Sequence, residues 1–365
     1  MKKVIVYGLG KRFSKCRTFI EEHYEVIGYC DKDDSVCTEE LKKYFIRKEE
    51  LKNSQADFIL ITSELYFDEI KKDLVNTGIP ENMIISLYAI EKSLYNPNNE
   101  AARGTSYTDT QTWPYFCVAA SKDPKIFNEF RRNTVTLSIC EYFEEEWAEK
   151  MIEFIERNPS RFSDEDWTNF LKSDTVGNPI CKDYTINHSK KSANCTTLRY
   201  VRILSQLLDL FGDMKSIENI VEIGGGYGGQ CRIILSYLHD IKYTLVDLPE
   251  VLLLMKRYLD EFPTNRSVNF IDGTSELAEK TYDLVISNYA VSEMTRKVQE
   301  IYLEKIICHA KCGFIIWNNL SFRMGKGGYS LEQFIERIPN ASVIKEEPQT
   351  GIDNCIIIWG NNNTK

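Results

Sequence analysis

The chain has 365 residues, of which 43% are hydrophobic, 27% charged and 12% aromatic, values that exclude disordered, collagenous and coiled-coil classes. Forty-five basic against 54 acidic residues leave a net charge of -9, and basic residues cluster in nothing longer than pairs such as Lys42–Lys43, Lys71–Lys72 and Lys190–Lys191. Neither a nucleic acid nor a membrane surface is therefore expected as a partner. The length suggests two or three domains, far more chain than one catalytic module of common size.

The sequence opens MKKVIVYGLG, a short apolar run that meets a glycine turn, which reads as a strand rather than a signal sequence. No apolar run approaches the ~18 residues needed to span a bilayer. Eleven cysteines lie scattered without a CxxC pair, the pattern of free thiols in a reducing compartment, so a cytoplasmic location is expected. Cys308-His309 with Cys312 is the nearest approach to a metal spacing; it sits in a helical pattern and lacks a second half-site.

Val4–Tyr7 forms the first predicted strand, closed by Gly8-Leu9-Gly10 and followed by a helix to about Glu22. Strands over Glu25–Cys30, Phe58–Thr62 and Met83–Leu87 and a helix over Glu64–Asn76 complete an alternation that predicts a parallel sheet flanked by helices. The GxG turn, with Asp31 at the end of the second strand, is half of a dinucleotide fingerprint. Such a turn could hold a nucleotide or nucleotide sugar, or serve only as a structural corner. The third glycine position is Phe13. Residues 96–180 are expected as a linker, beginning Asn96-Pro97-Asn98-Asn99, and a helical cap. Within it Leu137–Arg157 carries apolar residues at three- and four-residue steps, and Ser163-Asp164-Glu165-Asp166 resembles a capping box. Trp113, Tyr115, Phe116, Phe127, Phe130, Tyr142, Phe143, Trp147 and Trp167 make this stretch aromatic, as core or as stacking faces for a sugar.

From residue 181 onward the pattern predicts a second α/β domain. Ile220–Ile223 is a strand that runs into Glu222-Ile223-Gly224-Gly225-Gly226-Tyr227-Gly228, an ExGxGxG turn before a helix. Lys242–Val246 is the next strand and ends in Asp247, 23 residues beyond Gly224, where an acid can accept from vicinal ribose hydroxyls. Further strands follow at Val268–Ile271 (then Asp272-Gly273), Asp283–Ser287 (then Asn288-Tyr289) and Gly313–Asn318, and a helix at Leu331–Ile338. Ala341–Lys345 and Cys355–Trp359 then add a terminal hairpin, which makes seven strands; a dinucleotide-binding sheet has no such ending.

The segments VEIGGGYGGQCRII (221–234), YTLVDLPEVLLL (243–254) and YDLVISNYAVSEM (282–294), with DTVGNP (174–179) and TTLRY (196–200), resemble the sugar O-methyltransferase family. The resemblance spans about residues 174–320 and implies the seven-stranded class I methyltransferase fold. It also implies methyl transfer from S-adenosylmethionine (SAM) to a sugar hydroxyl, on a surface glycan or a glycosylated metabolite, leaving S-adenosylhomocysteine (SAH). The first 95 residues lie outside it and resemble small Rossmann-like domains attached to bacterial sugar-modifying enzymes.

Glu222, Gly224, Gly226, Gly228, Asp247, Leu248, Asp272, Gly273 and Asn288 are then the candidate cofactor residues, Asp272 as acceptor for the adenine amino group. Arg199 either pairs with the cofactor's carboxylate or braces its own helix. A sugar hydroxyl is a weak acid, so a base or a metal is required. Glu293, five residues beyond Asn288, is the first candidate base, or else a cap for the helix after Thr295. His188, expected in a loop, is the second. Asn318 and Asn319 either orient the acceptor or are structural. A magnesium site built from Asp272, Glu293 and a neighbouring Asp stays open, although no spacing demands it. Two further readings are an O-methyltransferase for a non-sugar alcohol and an inactive scaffold that binds a nucleotide sugar or a partner.

Overall fold

The computed structural model describes residues 1–63, 66–96, 103–106, 108–110, 112–141, 145–262, 268–323, 325 and 327–360. The chain divides into two compact units, Met1–Ala101 with Asn133–Ser138, and Ala102–Arg132 with Ile139–Lys365. The expected linker falls largely on residues 97–102, outside the described residues.

The first unit is built on β1 (Lys3–Tyr7), α1 (Lys11–His23), β2 (Glu25–Cys30), β3 (Phe58–Ile61), α2 (Phe67–Asn76), β4 (Ile84–Ser86) and α3 (Leu87–Tyr95). Its strands pair in the order β2-β1-β3-β4, all parallel. β1 and β3 are buried almost throughout, which is why they read as unbroken apolar runs rather than alternating ones. Only the first glycine of the GxG turn is required by the backbone. Gly8 has φ +98°, and a Cβ there would meet the Thr62 hydroxyl, whereas Gly10 faces open space. Asp31 closes this turn from within: its Oδ2 accepts from the Leu9 N–H at 2.5 Å and its Oδ1 from the Asp33 N–H at 3.1 Å. Phe13, in the third glycine's place, is core and meets the Tyr29 ring edge-on at 5.6 Å.

The second unit begins with α4 (Trp113–Lys122), α5 (Glu145–Glu156) and α6 (Asp164–Leu171). Ser163 caps α6 in the expected box with Asp166. The expected helical run over Leu137–Arg157 breaks into Thr134–Ile139 and α5, with Tyr142 and Phe143 outside the described residues. The break has a physical reason: Cys140 and Glu141 turn inward and are buried, Glu141 to meet the guanidinium of Arg131. Of the aromatic residues, Trp113, Phe116, Phe127, Phe130 and Trp167 are buried.

A hairpin of β5 (Cys181–Ile186) and β6 (Ser189–Asn194) then leads into α7 (Cys195–Phe211). Asn194 caps α7 by accepting from the Thr196 and Thr197 N–H groups. Every residue from Cys195 to Leu207 is buried, so this helix is covered on all sides. The main sheet is made of β7 (Asn219–Ile223), β8 (Lys242–Asp247), β9 (Val268–Asp272), β10 (Leu284–Asn288), β11 (Cys312–Trp317), β12 (Ser342–Lys345) and β13 (Cys355–Trp359). α8 (Gly229–Tyr237), α9 (Pro249–Asp260), α10 (Arg296–Lys305) and α11 (Leu331–Ile335) connect them.

Among the described residues the strand order is β12-β13-β11-β10-β7-β8-β9, parallel except for β13, which runs antiparallel to both neighbours. This is the mixed α/β, seven-stranded arrangement of class I methyltransferases, terminal hairpin included. Val221, Ile223, Val285, Ile315, Trp317, Ile357 and Trp359 line one sheet face, packed against Tyr302 and Leu303 of α10, Ile306 just after it, and Phe334 of α11. The chain leaves β7 toward β8 and β9 on one side and returns to β10 on the other. Such a reversal opens a crevice at the carboxyl ends of the strands.

Candidate active site

A cavity of about 540 Å³ fills that crevice, within the size range of small-molecule sites. Glu222 and Gly224–Gly226 from β7, Asp247 and Leu248 from β8, Gly273–Ser275 after β9 and Asn288–Ala290 after β10 line it. The wall is completed by Arg199 and Tyr200 of α7, by Cys140, and by Glu293, Met294, Val298, Ile301 and Tyr302 at and within α10.

The glycine turn follows from how close β7 and β10 lie. Gly224 has φ +77°, and a Cβ on it would overlap that of Ala290. The turn ends in Gly228, which caps α8 in a left-handed conformation and, unlike Gly224 and Gly226, is not part of the cavity wall.

Three carboxyls face this space, and burial pushes each up to about 7. For Glu222 the Tyr243 hydroxyl opposes the shift by donating to Oε2 at 2.8 Å. Asp247 is opposed by backbone N–H groups of Leu248, 2.8 Å from Oδ1, and Gly225. Glu293 is opposed by the Asn318 amide, whose Nδ2 donates to Oε1 at 2.8 Å. Arg199 is a buried cation in the same wall, its guanidinium 4.7 Å from the Tyr200 ring centroid. The side-chain oxygen of Asn288 is buried with no hydrogen-bond partner among the described residues. Two carboxylates, a lone amide oxygen, a cation and a glycine cradle match the ribose hydroxyls, amino groups and carboxylate of SAM, so the residues present fit that cofactor.

The structure places the remaining candidates differently. Asp272 is not in the cavity wall: its Oδ1 accepts from the N–H and hydroxyl of Thr274, at 2.8 and 2.6 Å, and shapes the turn that presents Gly273. His188 is not in a featureless loop. With Asn187 it forms the tip of the β5–β6 hairpin, both at positive φ (61° and 49°), and it is exposed and absent from the cavity wall. A two-residue turn of that conformation is what a tight hairpin needs, so His188 is a turn residue and not a base. Glu293 does not cap α10, where Thr295 is the cap residue. Asn319 accepts from the Trp317 indole at 2.5 Å and is structural. Cys308 and Cys312 each point a thiol at a backbone carbonyl, of Arg337 and Gly360. Among the described residues no group of three His, Cys, Asp or Glu could hold a metal ion, and no helix is long and apolar enough to cross a membrane.

Two features escaped the sequence reading. The first is a strap, residues 103–106 and 108–110, that contributes Arg103, Thr105, Ser106 and Thr108 to the wall. Arg103 pairs with both oxygens of Glu250 at 2.6 and 3.1 Å, at the start of α9. On the other side Ser106 bridges Met294, and the Thr105 carbonyl accepts from the Thr295 N–H at 2.9 Å. Buried Asp109 holds the strap's bend by accepting from the N–H groups of Gly104 and Thr105.

The second is a buried ionic hub beneath the glycine turn. Arg131 is fully buried and donates to Glu141 (2.6 Å), Asp174 (3.1 Å), the Ser173 carbonyl (2.8 Å) and Asn194 (3.1 Å). Burial alone would lower its pKa, but Glu141, Tyr227 and Asp174 hold it well above the usual value. Tyr227, from the glycine turn, donates its hydroxyl to Glu141 at 2.9 Å, and Thr197 donates to Asp174 at 2.6 Å. DTVGNP, TTLRY and GGGYGG therefore meet at one guanidinium, and the backbone N–H of Arg131 also donates to the Gly177 carbonyl at 3.0 Å.

Residues 182–281 match the family described as O-methyltransferase domain, and residues 1–85 match the family described as C2185-like, N-terminal. No curated protein matches the chain. Among solved structures it is similar to PigF with SAH (14% identity, 44% of this chain and 62% of that chain, TM-score 0.32). It is also similar to a SAH-bound methyltransferase of Podospora anserina, PaMTH1 (15%, 59% and 96%, 0.35), and to the mitomycin 7-O-methyltransferase MmcR (14%, 79% and 86%, 0.33). The chain spans 62% of PigF and 57% of LaPhzM, and none of these scores is high enough for shape to argue kinship. The O-methyltransferase match covers the hairpin, α7, the glycine turn and β7 to β9, the half of the second unit in which Arg199, Glu222 and Asp247 converge.

Proposed function

We propose that this chain is a SAM-dependent O-methyltransferase whose acceptor is a sugar hydroxyl, free or within a glycan or glycosylated metabolite. The reading is carried by one juxtaposition: Glu293, a carboxyl lifted to about 7, lines the same cavity as the glycine turn and Asp247. The cofactor, when bound, supplies an electrophilic methyl on a sulfonium. Asp247 would accept from its ribose hydroxyls, Arg199 would pair with its carboxylate, and Gly224–Gly226 would let the backbone approach it. The acceptor oxygen forms its bond to the methyl carbon as the sulfur–methyl bond breaks, and the sulfur keeps that electron pair. Glu293 takes the hydroxyl proton, for which a pKa near neutrality is well matched.

A sugar acceptor is supported by the cavity wall, which includes the hydroxyl-bearing Thr105, Ser106 and Thr108 and also Trp113. Hydroxyls can exchange hydrogen bonds with a sugar, and an aromatic face can stack on its ring. The 11 free thiols fit a reducing compartment, and we place the reaction in the cytoplasm. In the first unit Asp31 is engaged by its own backbone, which favours a structural corner over a nucleotide site.

The test is incubation with SAM and a panel of methyl glycosides, nucleotide sugars and phenols, read by mass spectrometry for SAH and for an acceptor one methyl heavier. Methylation of the phenols alone would overturn the sugar reading. Calorimetry that finds no SAH binding would overturn the whole proposal, the scaffold reading being then the survivor.

A further inference from the structure

Asn318 is the first residue after β11, which lies beside β10 in the sheet. Its Oδ1 accepts from the Leu320 N–H at 3.1 Å and lies 2.8 Å from the Ser292 hydroxyl. A backbone N–H can only donate, so this contact fixes which end of the amide is oxygen. The Nδ2 end must then face Glu293, and it does, 2.8 Å from Oε1. Ser292, next to Glu293 in the turn Val291–Glu293, also receives the Asn318 N–H at 3.3 Å and lies 2.5 Å from the Tyr289 carbonyl. The amide is therefore clamped on its oxygen side and on its backbone, with one free function, a hydrogen bond into the cavity wall. Glu293, which lines the cavity, is left with one oxygen held and, among the described residues, no hydrogen bond to the other.

We propose that Asn318 is the positioning residue of the methyl-transfer site, fixing the carboxylate of Glu293 so that a single oxygen is presented to the acceptor. The inference rests on the reading of Glu293 as base. A carboxylate with one oxygen tied loses rotational freedom, and proton transfer is sensitive to such alignment. The amide also tunes the group. A donor to the ionised form stabilises it, so Asn318 works against the burial that raises Glu293. The other charged groups around the cavity are Arg199 from α7, Glu222 from β7, Asp247 from β8, Lys297 from α10 and Arg103 from the strap. None of them contributes to the shift of Glu293, which comes from burial with Asn318 opposing.

The test needs no acceptor. Full-length protein labelled with 13C at the glutamate carboxyls is titrated by NMR, the Glu293 resonance being assigned by its loss in Glu293→Gln. In Asn318→Ala the acid dissociation constant of Glu293 should fall about tenfold, the size of a lost hydrogen bond to a charge. In Asn318→Asp, which keeps the Oδ1 contact with Leu320 but sets carboxyl against carboxyl, it should fall further. SAH affinity, measured by calorimetry, should stay within threefold in both. An unchanged Glu293 titration in a variant that still binds SAH overturns the positioning role, and Asn318→Asp carries the test if the alanine variant does not fold. Because the titration reads Glu293 alone, its failure is distinguishable from failure to transfer a methyl.

Discussion

Replacing Asp247 by asparagine separates cofactor recognition from folding. Two backbone donors, of Leu248 and Gly225, hold the carboxylate, and the residue lines the cavity. An asparagine can keep its carbonyl on those donors, but its amide then confronts the ribose hydroxyls that the carboxylate would accept. Two charge-assisted hydrogen bonds, each about 1.5–3 kcal/mol, become at best two neutral ones of about 0.5–1.5 kcal/mol. The difference, about 2–3 kcal/mol, is roughly a 30- to 150-fold loss of affinity. The same substitution should not weaken the fold. Burial raises Asp247 to about 7, so above that pH the native state holds a charge it would rather not carry, and the amide removes it. Calorimetry with SAH at pH 8 should therefore show the affinity loss, while the unfolding temperature of the cofactor-free variant stays equal or rises. A change in Kd below threefold would refute the assignment of Asp247 to the ribose, and a fall in both quantities together would reduce it to a fold residue.

The raised carboxyls also predict a pH dependence: Asp247 accepts fully only when ionised, so SAH should bind about tenfold more weakly at pH 6 than at pH 8, with proton release on binding seen as a buffer-dependent enthalpy. A flat profile would mean that the carboxylate does not touch the ligand. Glu293→Gln should lower the methyl-transfer rate by about 10²–10⁴ with SAH affinity within a few-fold of wild type, because the amide keeps the shape and loses the proton acceptor; an equal loss of binding would reassign it. Arg131→Met should cost about 3–5 kcal/mol of stability, since Glu141 and Asp174 stay buried without their cation, and thermal unfolding checks this.

The strand-end wall of the cavity was legible because parallel strands buried on both faces leave apolar runs, and the turns after them are punctuated by Gly and Asp. Asp247 and the terminal hairpin were visible for that reason, and Glu293 by its place after a strand end. The β5–β6 hairpin was not: KDYTI and SKKS buried little, with Tyr184 and Ile186 the inward positions of β5, so the alternation was faint. The signal that could have found it is Asn187, a residue that tolerates positive φ, between two short alternating runs. Missing it turned a hairpin tip, His188, into a candidate base. Asp272 was read as open because a strand-end carboxylate next to glycine looks free in one dimension, whereas Thr274 takes its oxygen two residues later. The strap and the Arg131 hub were invisible for a different reason. They depend on pairs such as Arg103–Glu250 and Arg131–Asn194, which have no local periodicity to betray them.

The hub also sets where this chain can be cut. A fragment begun at residue 181, the boundary that hydrophobic patterning suggests, would retain all the glycines of the turn after β7. It would lack Arg131, Glu141 and Asp174, and so strand the hydroxyls of Tyr227 and Thr197 inside the protein. Expression trials and domain grafts that aim to move the glycine-turn module into another chain must therefore carry the sequence from upstream of Arg131.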